Sequence, residues 1–134
     1  MIVADCTLIA QLVIDTDSTE LAERIYAADP EWIVPPLWRS ELRNVLRMYV
    51  IEAKMPLESA FERMSIAEER FGGAEQSVVS RDVLALATKF RCSAYDAEYV
   101  SLAREFSVPL VTSDRRLRDI FPRVAISPAG FLSR

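Results

Sequence analysis

A chain of 134 residues, 51% hydrophobic and with only three glycines, excludes a disordered, collagen-like or low-complexity polymer and fits one compact domain with one core. The net charge of −4 argues against a protein that coats nucleic acid through a basic surface. It leaves room for an enzyme that meets phosphates through bound cations, because those invert the local charge. Histidine is absent, which removes every mechanism built on an imidazole, including Ser-His-Asp hydrolysis and His-ligated zinc.

In chain order, Met1 to Asp5 is a short apolar run closed by a carboxylate, the pattern of a buried strand with an acid at its carboxyl end. A short helix over Thr7 to Ile14 follows almost directly, and Ser18 is placed to cap a second over residues 19–28. Trp32-Ile33-Val34 reads as a strand stopped by Pro35-Pro36. From Leu37 to about Glu52, Leu37, Trp38, Leu42, Val45, Met48 and Tyr49 share one helical face, with Arg39, Arg43 and Arg47 opposite. Pro56 opens a further helix that ends at Gly72-Gly73, and the pair suits an αα-hairpin. Ser77-Val78-Val79 is the weakest strand pattern. Ser80 then caps a helix to about Arg91, with Val83, Leu84, Ala87 and Phe90 inward. Helix over Ser93 to Phe106, strand over Val108 to Thr112, helix over Asp114 to Phe121 and strand over Val124 to Ile126 complete the chain. This alternation predicts an α/β fold with a mainly parallel sheet, and no linker, repeat or second domain interrupts residues 1–134.

Cys6 and Cys92 are too few and too far apart for a disulfide scaffold or a Cys-rich zinc site, so both read as buried free thiols. No stretch reaches the roughly 20 apolar residues of a membrane span, and no signal peptide is evident, which predicts a cytoplasmic protein.

Four acids stand out. Asp5 and Asp114 follow strands and precede helices, so each has helix capping as its ordinary explanation. Asp96 sits in Ser93-Ala94-Tyr95-Asp96, which resembles a capping box. Glu41 lies inside the apolar arc of its helix, where a carboxylate must be paired, hydrogen-bonded or on a metal. Taken together they change meaning. In a parallel sheet all four fall on the side where strands end and helices begin, the usual ligand edge. Converging carboxylates repel unless a cation neutralises them, and oxygen-only clusters suit Mg²⁺ or Mn²⁺ and in-line displacement at phosphorus.

The order of these residues resembles a PIN domain, specifically the toxin ribonucleases of the VapC type, over essentially the whole chain. The carriers are Val3-Ala4-Asp5-Cys6-Thr7 and Pro35-Pro36-Leu37-Trp38-Arg39-Ser40-Glu41-Leu42. They continue with Ser93-Ala94-Tyr95-Asp96-Ala97-Glu98-Tyr99 and Leu110-Val111-Thr112-Ser113-Asp114-Arg115-Arg116-Leu117. The resemblance implies a three-layer α/β sandwich around a five-stranded sheet of order 3-2-1-4-5. It also implies Mg²⁺- or Mn²⁺-dependent endoribonuclease activity, a homodimer and a cognate antitoxin. Asp5, Glu41, Asp96 and Asp114 would then be the acidic quartet, with Asp5 and Asp96 the principal metal ligands. Glu41 and Asp114 would complete the site or hold the attacking water. Thr112 would orient the last acid, and Thr7 matches another hydroxyl position. Cys6 stands where a smaller residue is common. Glu98 is left out, because it points to a different face of its helix from Asp96. Arg115, Arg116 and Arg118 could steer phosphate, as could Arg39, Arg43 and Arg47, although solvated helix faces explain them equally well. Tyr95 and Tyr99 fit core packing better than base stacking.

Other readings fit less well. A receiver-type signalling domain wants an acidic pair after strand one and a late lysine, yet the last lysine is Lys89. A phosphatase of the haloacid dehalogenase type needs Asp-x-Asp, which Asp5-Cys6-Thr7 lacks. A catalytically silent PIN-like module that binds RNA or protein is the main alternative, and it would be expected to have lost an acid.

Overall fold

The structure, a computed structural model, describes residues 1–134. β1 (Ile2–Ala4) enters α1 (Cys6–Val13) through Asp5, and α2 (Thr19–Ala28) returns the chain to β2 (Trp32–Ile33). α3 (Trp38–Glu52) and α4 (Leu57–Phe71) form the expected hairpin, followed by a 3₁₀ turn at Gly72–Ala74. α5 (Ser80–Phe90) and α6 (Ala94–Phe106) precede β3 (Leu110–Val111), α7 (Arg115–Ile120), β4 (Ala125–Ile126) and α8 (Pro128–Leu132).

The sheet is parallel throughout, in the order β2-β1-β3-β4, with Ile2 opposite Trp32, Val3 opposite Leu110 and Leu110 opposite Ala125. It has four strands where five in the order 3-2-1-4-5 were expected. The missing edge is Ser77–Val79, which forms no strand. The chain instead runs beside β2 for one residue, at the parallel bridge between Val34 and Glu75, where the Gln76 amide donates to the Val34 carbonyl at 2.9 Å. Only Val78 then packs on the core while Val79 faces solvent, and α5 starts at once, so no apolar face holds a longer strand in register.

Alternation along β1 sends Ile2 and Ala4 to one core, with α1 to α4 and α8, and Val3 to the other, with α5, α6 and α7. Both faces are covered, which is why the strand reads as an unbroken apolar run. In the first core Trp32 stacks on Phe71 with centroids 5.5 Å apart, and Trp38 meets the same ring edge-on. α8 was not anticipated. Its signature is Ser127-Pro128, a capping serine followed by proline at the first helical position, and the Ser127 hydroxyl accepts from the Gly130 amide at 3.0 Å.

Four local expectations need correction. Tyr95, expected to pack in the core, is 65% exposed, because it lies on the outer face of the first turn of α6. Leu84 points outward at 61% exposure and Leu86 takes its place inside. Ser80 is the first residue of α5 and caps nothing, since Val79 holds the cap position. Met48, on the expected buried face of α3, is exposed, because α4 covers only part of that face. An apolar groove of about 360 Å³ therefore runs between α3 and α4, floored by Leu46, Val50, Ala60 and Met64 and rimmed by Ile51, Leu57, Phe61, Arg43 and Arg47. No helix is long and apolar enough to cross a membrane.

Candidate active site

β1 and β3 are neighbours at the point where the sheet order reverses, and their carboxyl ends open into a common crevice. Asp5 leaves β1 as the N-cap of α1, and its Oδ1 accepts from the Leu8 amide at 2.8 Å. Its Oδ2 accepts from the Thr112 hydroxyl at 2.5 Å. Thr112 is 1% exposed, and its oxygen also accepts from the Asp114 amide at 3.0 Å. One buried hydroxyl thus ties the end of β1 to the start of α7. Asp114 caps α7 through the Leu117 amide at 3.2 Å. The capping explanation of Asp5 and Asp114 is correct, and it does not compete with a shared site: capping is what aims both carboxylates at the crevice.

Glu41 and Asp96 arrive from the first turns of α3 and α6. Ser93 caps α6 by accepting from the Asp96 amide at 3.0 Å, which leaves the Asp96 carboxylate free of that role. Glu41 takes a hydrogen bond from the Tyr99 hydroxyl at 2.5 Å. Tyr99 was expected to pack in the core, and it does, at 4% exposure. Its contact with Glu41 was not foreseen. The available signal was its spacing of three from Asp96, which puts both on one face of the helix.

A cavity of about 110 Å³ results, lined by the four acids together with Cys6, Thr7, Tyr99 and Thr112 among others. Thr7 is exposed at its rim. None of the four acids takes part in an ion pair. Burial raises the Asp5 pKa to about 6, against the lowering effect of Thr112 and Leu8, and Glu41 and Asp114 push it further up. Burial also raises Glu41, aided by the charges of Asp96 and Glu98, although Tyr99 opposes the shift. Asp96 is raised by burial and by Asp114, with Ser93 and Arg116 easing it. Cys6 is pushed up by burial and by Glu41 and Asp5, so it stays a thiol, and the Tyr99 phenol is raised by burial and by Glu41, so it stays a donor. Glu98 lies outside the lining, as its helix phase implied, yet its charge reaches Glu41.

All donors facing the cavity are oxygens apart from the Cys6 sulfur. No three acidic or cysteine side chains are positioned to hold a metal ion as a ready-made group. The arginines divide sharply. Arg39 is committed to a clamp: it pairs with Glu68 and Glu75, lies over the Trp38 ring, and passes so close to Gly72 that a Cβ there would meet it at 3.0 Å. Arg118 donates to the Thr112 carbonyl at 3.0 Å, and Arg116 to the Arg91 carbonyl at 3.3 Å. Arg115 is exposed and takes part in no salt bridge.

Residues 2–122 match the PIN domain family. The chain belongs to the PIN-domain family. It is similar to ribonuclease VapC3 of Pyrobaculum aerophilum, at 31% identity over 90% of this chain and 95% of that one. Among solved structures it resembles PAE2754 from Pyrobaculum aerophilum, with a TM-score of 0.78 at 20% identity, covering 100% of this chain and 97% of the other. It also resembles FitAcB from Neisseria gonorrhoeae, with a TM-score of 0.63 at 15% identity, covering 96% and 99%. The two structural likenesses speak for the fold. The VapC-type resemblance read from the sequence therefore stands, including the α/β sandwich, with the sheet corrected to four strands.

Proposed function

We propose that this chain is a metal-dependent endoribonuclease and the toxin of a toxin–antitoxin pair. It hydrolyses RNA phosphodiester bonds with water held and activated among Asp5, Glu41, Asp96 and Asp114. The observation that carries the proposal is the gathering of four carboxylates, none in an ion pair, in one cavity at the ligand edge of a parallel sheet. The similarity to ribonuclease VapC3 supports RNA as the substrate.

The acids fit Mg²⁺ or Mn²⁺ by donor type, by their lack of cationic partners and by the raised pKa values that a cation would relieve. The lack of a closed protein cage agrees with the habit of Mg²⁺, which is commonly held by one or two carboxylates, with water and substrate phosphate completing its shell. When bound, such an ion supplies Lewis acidity, lowering the pKa of water and neutralising charge on the phosphate. Asp5 and Asp96 are the principal ligands, and Asp114 completes the site. Glu41, held above its ordinary pKa by burial, is the acceptor for the proton of the attacking water. Thr112 orients Asp5 and, through its bond with the Asp114 amide, the strand-to-helix turn that carries Asp114. Water oxygen bonds to phosphorus as its proton passes to Glu41, the bond to the leaving ribose oxygen breaks, and that oxygen takes a proton from solvent water.

The protein partners are a cognate antitoxin and a second copy of the chain, in the cytoplasm. The groove between α3 and α4 supports the first of these. Its apolar floor and its rim of Arg43 and Arg47 suit the apolar face and acidic flank of an antitoxin helix. Purified protein tested on structured and unstructured RNAs with Mg²⁺, Mn²⁺ or chelator decides the central point. Metal-dependent cutting, lost in Asp96→Asn, is expected. No cutting, with no metal-induced rise in melting temperature, would leave the silent binding module as the reading.

A further inference from the structure

The four acids are not held alike. Asp5 and Asp114 are short side chains pinned by backbone amides at helix starts, at 2.8 and 3.2 Å, and Asp5 is pinned again by Thr112. Glu41 is the longest of the four, lies along its helix rather than at a cap, and has no amide to fix it. The Tyr99 hydroxyl is its one side-chain hydrogen-bond partner, and it engages Oε1 alone. Tyr99 is itself immobile, because its ring is buried in the second core and it stands one helical turn beyond Asp96 on α6.

We propose that Tyr99 is a positioning residue that holds Glu41 by Oε1 at a set place relative to Asp96, leaving Oε2 alone to face the cavity. One rigid helix then carries both Asp96 and the hydroxyl that orients the acid opposite, so the two halves of the site are registered by a single element. Glu41 acts through one oxygen. The role rests on the nuclease reading, and Tyr99 exerts it through Glu41.

The test is Tyr99→Phe, which keeps the ring and removes only the hydroxyl. Orienting partners of this kind cost about 10- to 100-fold in metal affinity or activity when lost. At least a tenfold fall in kcat is expected, with KM for RNA within about twofold of wild type and Mn²⁺ affinity by calorimetry also within about twofold, because Glu41 serves the attacking water rather than the cation. In a Glu41→Ala background the same substitution should change the residual kcat by less than about twofold, because the partner is gone. An equal loss in both backgrounds, or a Phe variant that matches wild type, overturns the role of Tyr99. A wild type that neither binds Mn²⁺ nor cuts RNA overturns the nuclease reading instead, and the role falls with it. Should Tyr99→Phe not fold, proton NMR of other variants decides. A slowly exchanging, downfield phenolic proton must be present in wild type, kept in Asp114→Asn and lost in Glu41→Ala, and its absence from wild type refutes the proposal.

Discussion

The acid cavity holds about 110 Å³ and gathers four carboxylates with no cationic partner, whereas the groove between α3 and α4 holds about 360 Å³ and exposes apolar side chains, Phe61 at 54% and Ile51 at 60% among them. One region concentrates charge that repels itself, and the other leaves apolar surface in water. Each region withholds stability from the free chain in a form that only a complementary species can return. Under the proposed function that species is cationic for the cavity, and an apolar, acidic protein surface for the groove. Substitutions in the two regions should therefore separate function from stability in different ways.

The sharpest separation is expected from Asp96→Asn. Cleavage should fall by about 10²-fold or more, because a principal ligand of the cation is lost. The melting temperature without metal should hold or rise, because one of several mutually repelling charges is gone. A large fall in melting temperature would mean that the acids hold the fold together. Phe61→Glu makes the opposite cut. It should leave cleavage unchanged and stability within about 0.5 kcal/mol, as expected of an exposed site. It should weaken capture of the antitoxin by about 30-fold, equivalent to a hot-spot loss of about 2 kcal/mol. Co-expression with a candidate antitoxin, followed by pull-down and titration, measures this. Undiminished capture would move the partner off the groove.

A third comparison uses pH. The folded-state pKa of Asp5 is raised from 3.8 to about 6, so between those values the folded state binds more protons than the unfolded one. Stability from this group is fully present below pH 3.8 and is lost as pH rises through about 6. The loss is about 2 kcal/mol after allowance for the partial exposure of Asp5. Metal-free protein should accordingly melt several degrees higher at pH 5 than at pH 7.5. Asp5→Asn should flatten that difference, and Mn²⁺ at pH 7.5 should restore the stability that ionisation removed. A wild-type slope of the opposite sign, unchanged in Asp5→Asn, would show that the cavity is more hydrated than its geometry implies.

Much of this was legible in the sequence, for identifiable reasons. Buried parallel strands announce themselves as apolar runs, so β1 and β3 and the acids after them could be placed from residues 1–5 and 108–114. The convergence of the four acids follows from parallel topology alone, once strand ends and helix starts share an edge. What escaped depends on tertiary contact. Ser77–Val79 has strand-like residues but no partner long enough to pair with, and Leu84 has the right phase for burial but no neighbour that covers it. Arg39 looked as free as Arg43 and Arg47, because the glutamates that claim it lie about one helix away in sequence. Tyr99 was placed correctly in the core, but the partner of its hydroxyl lies 58 residues away on another element.

The smallest expected effect concerns how RNA is drawn to an acidic protein. With a net charge of −4, the surface supplies little general attraction for phosphate, so the few free cations near the cavity must act locally. Arg115 starts α7 directly after Asp114 and is exposed, whereas Arg118 is engaged at the Thr112 carbonyl and Arg39 in its clamp. Arg115→Ala should raise KM about two- to fivefold, leave kcat nearly unchanged, and reduce the salt slope of RNA binding by about 0.7, the value for one phosphate contact on a single strand. Arg39→Ala should leave that slope alone and lower the melting temperature, because Glu68, Glu75 and the Trp38 ring lose a shared partner. If Arg115→Ala changes neither slope nor KM, the phosphate meets the protein only through the cation held by the acids. The cation that neutralises the cavity would then account for substrate binding as well as for the chemistry.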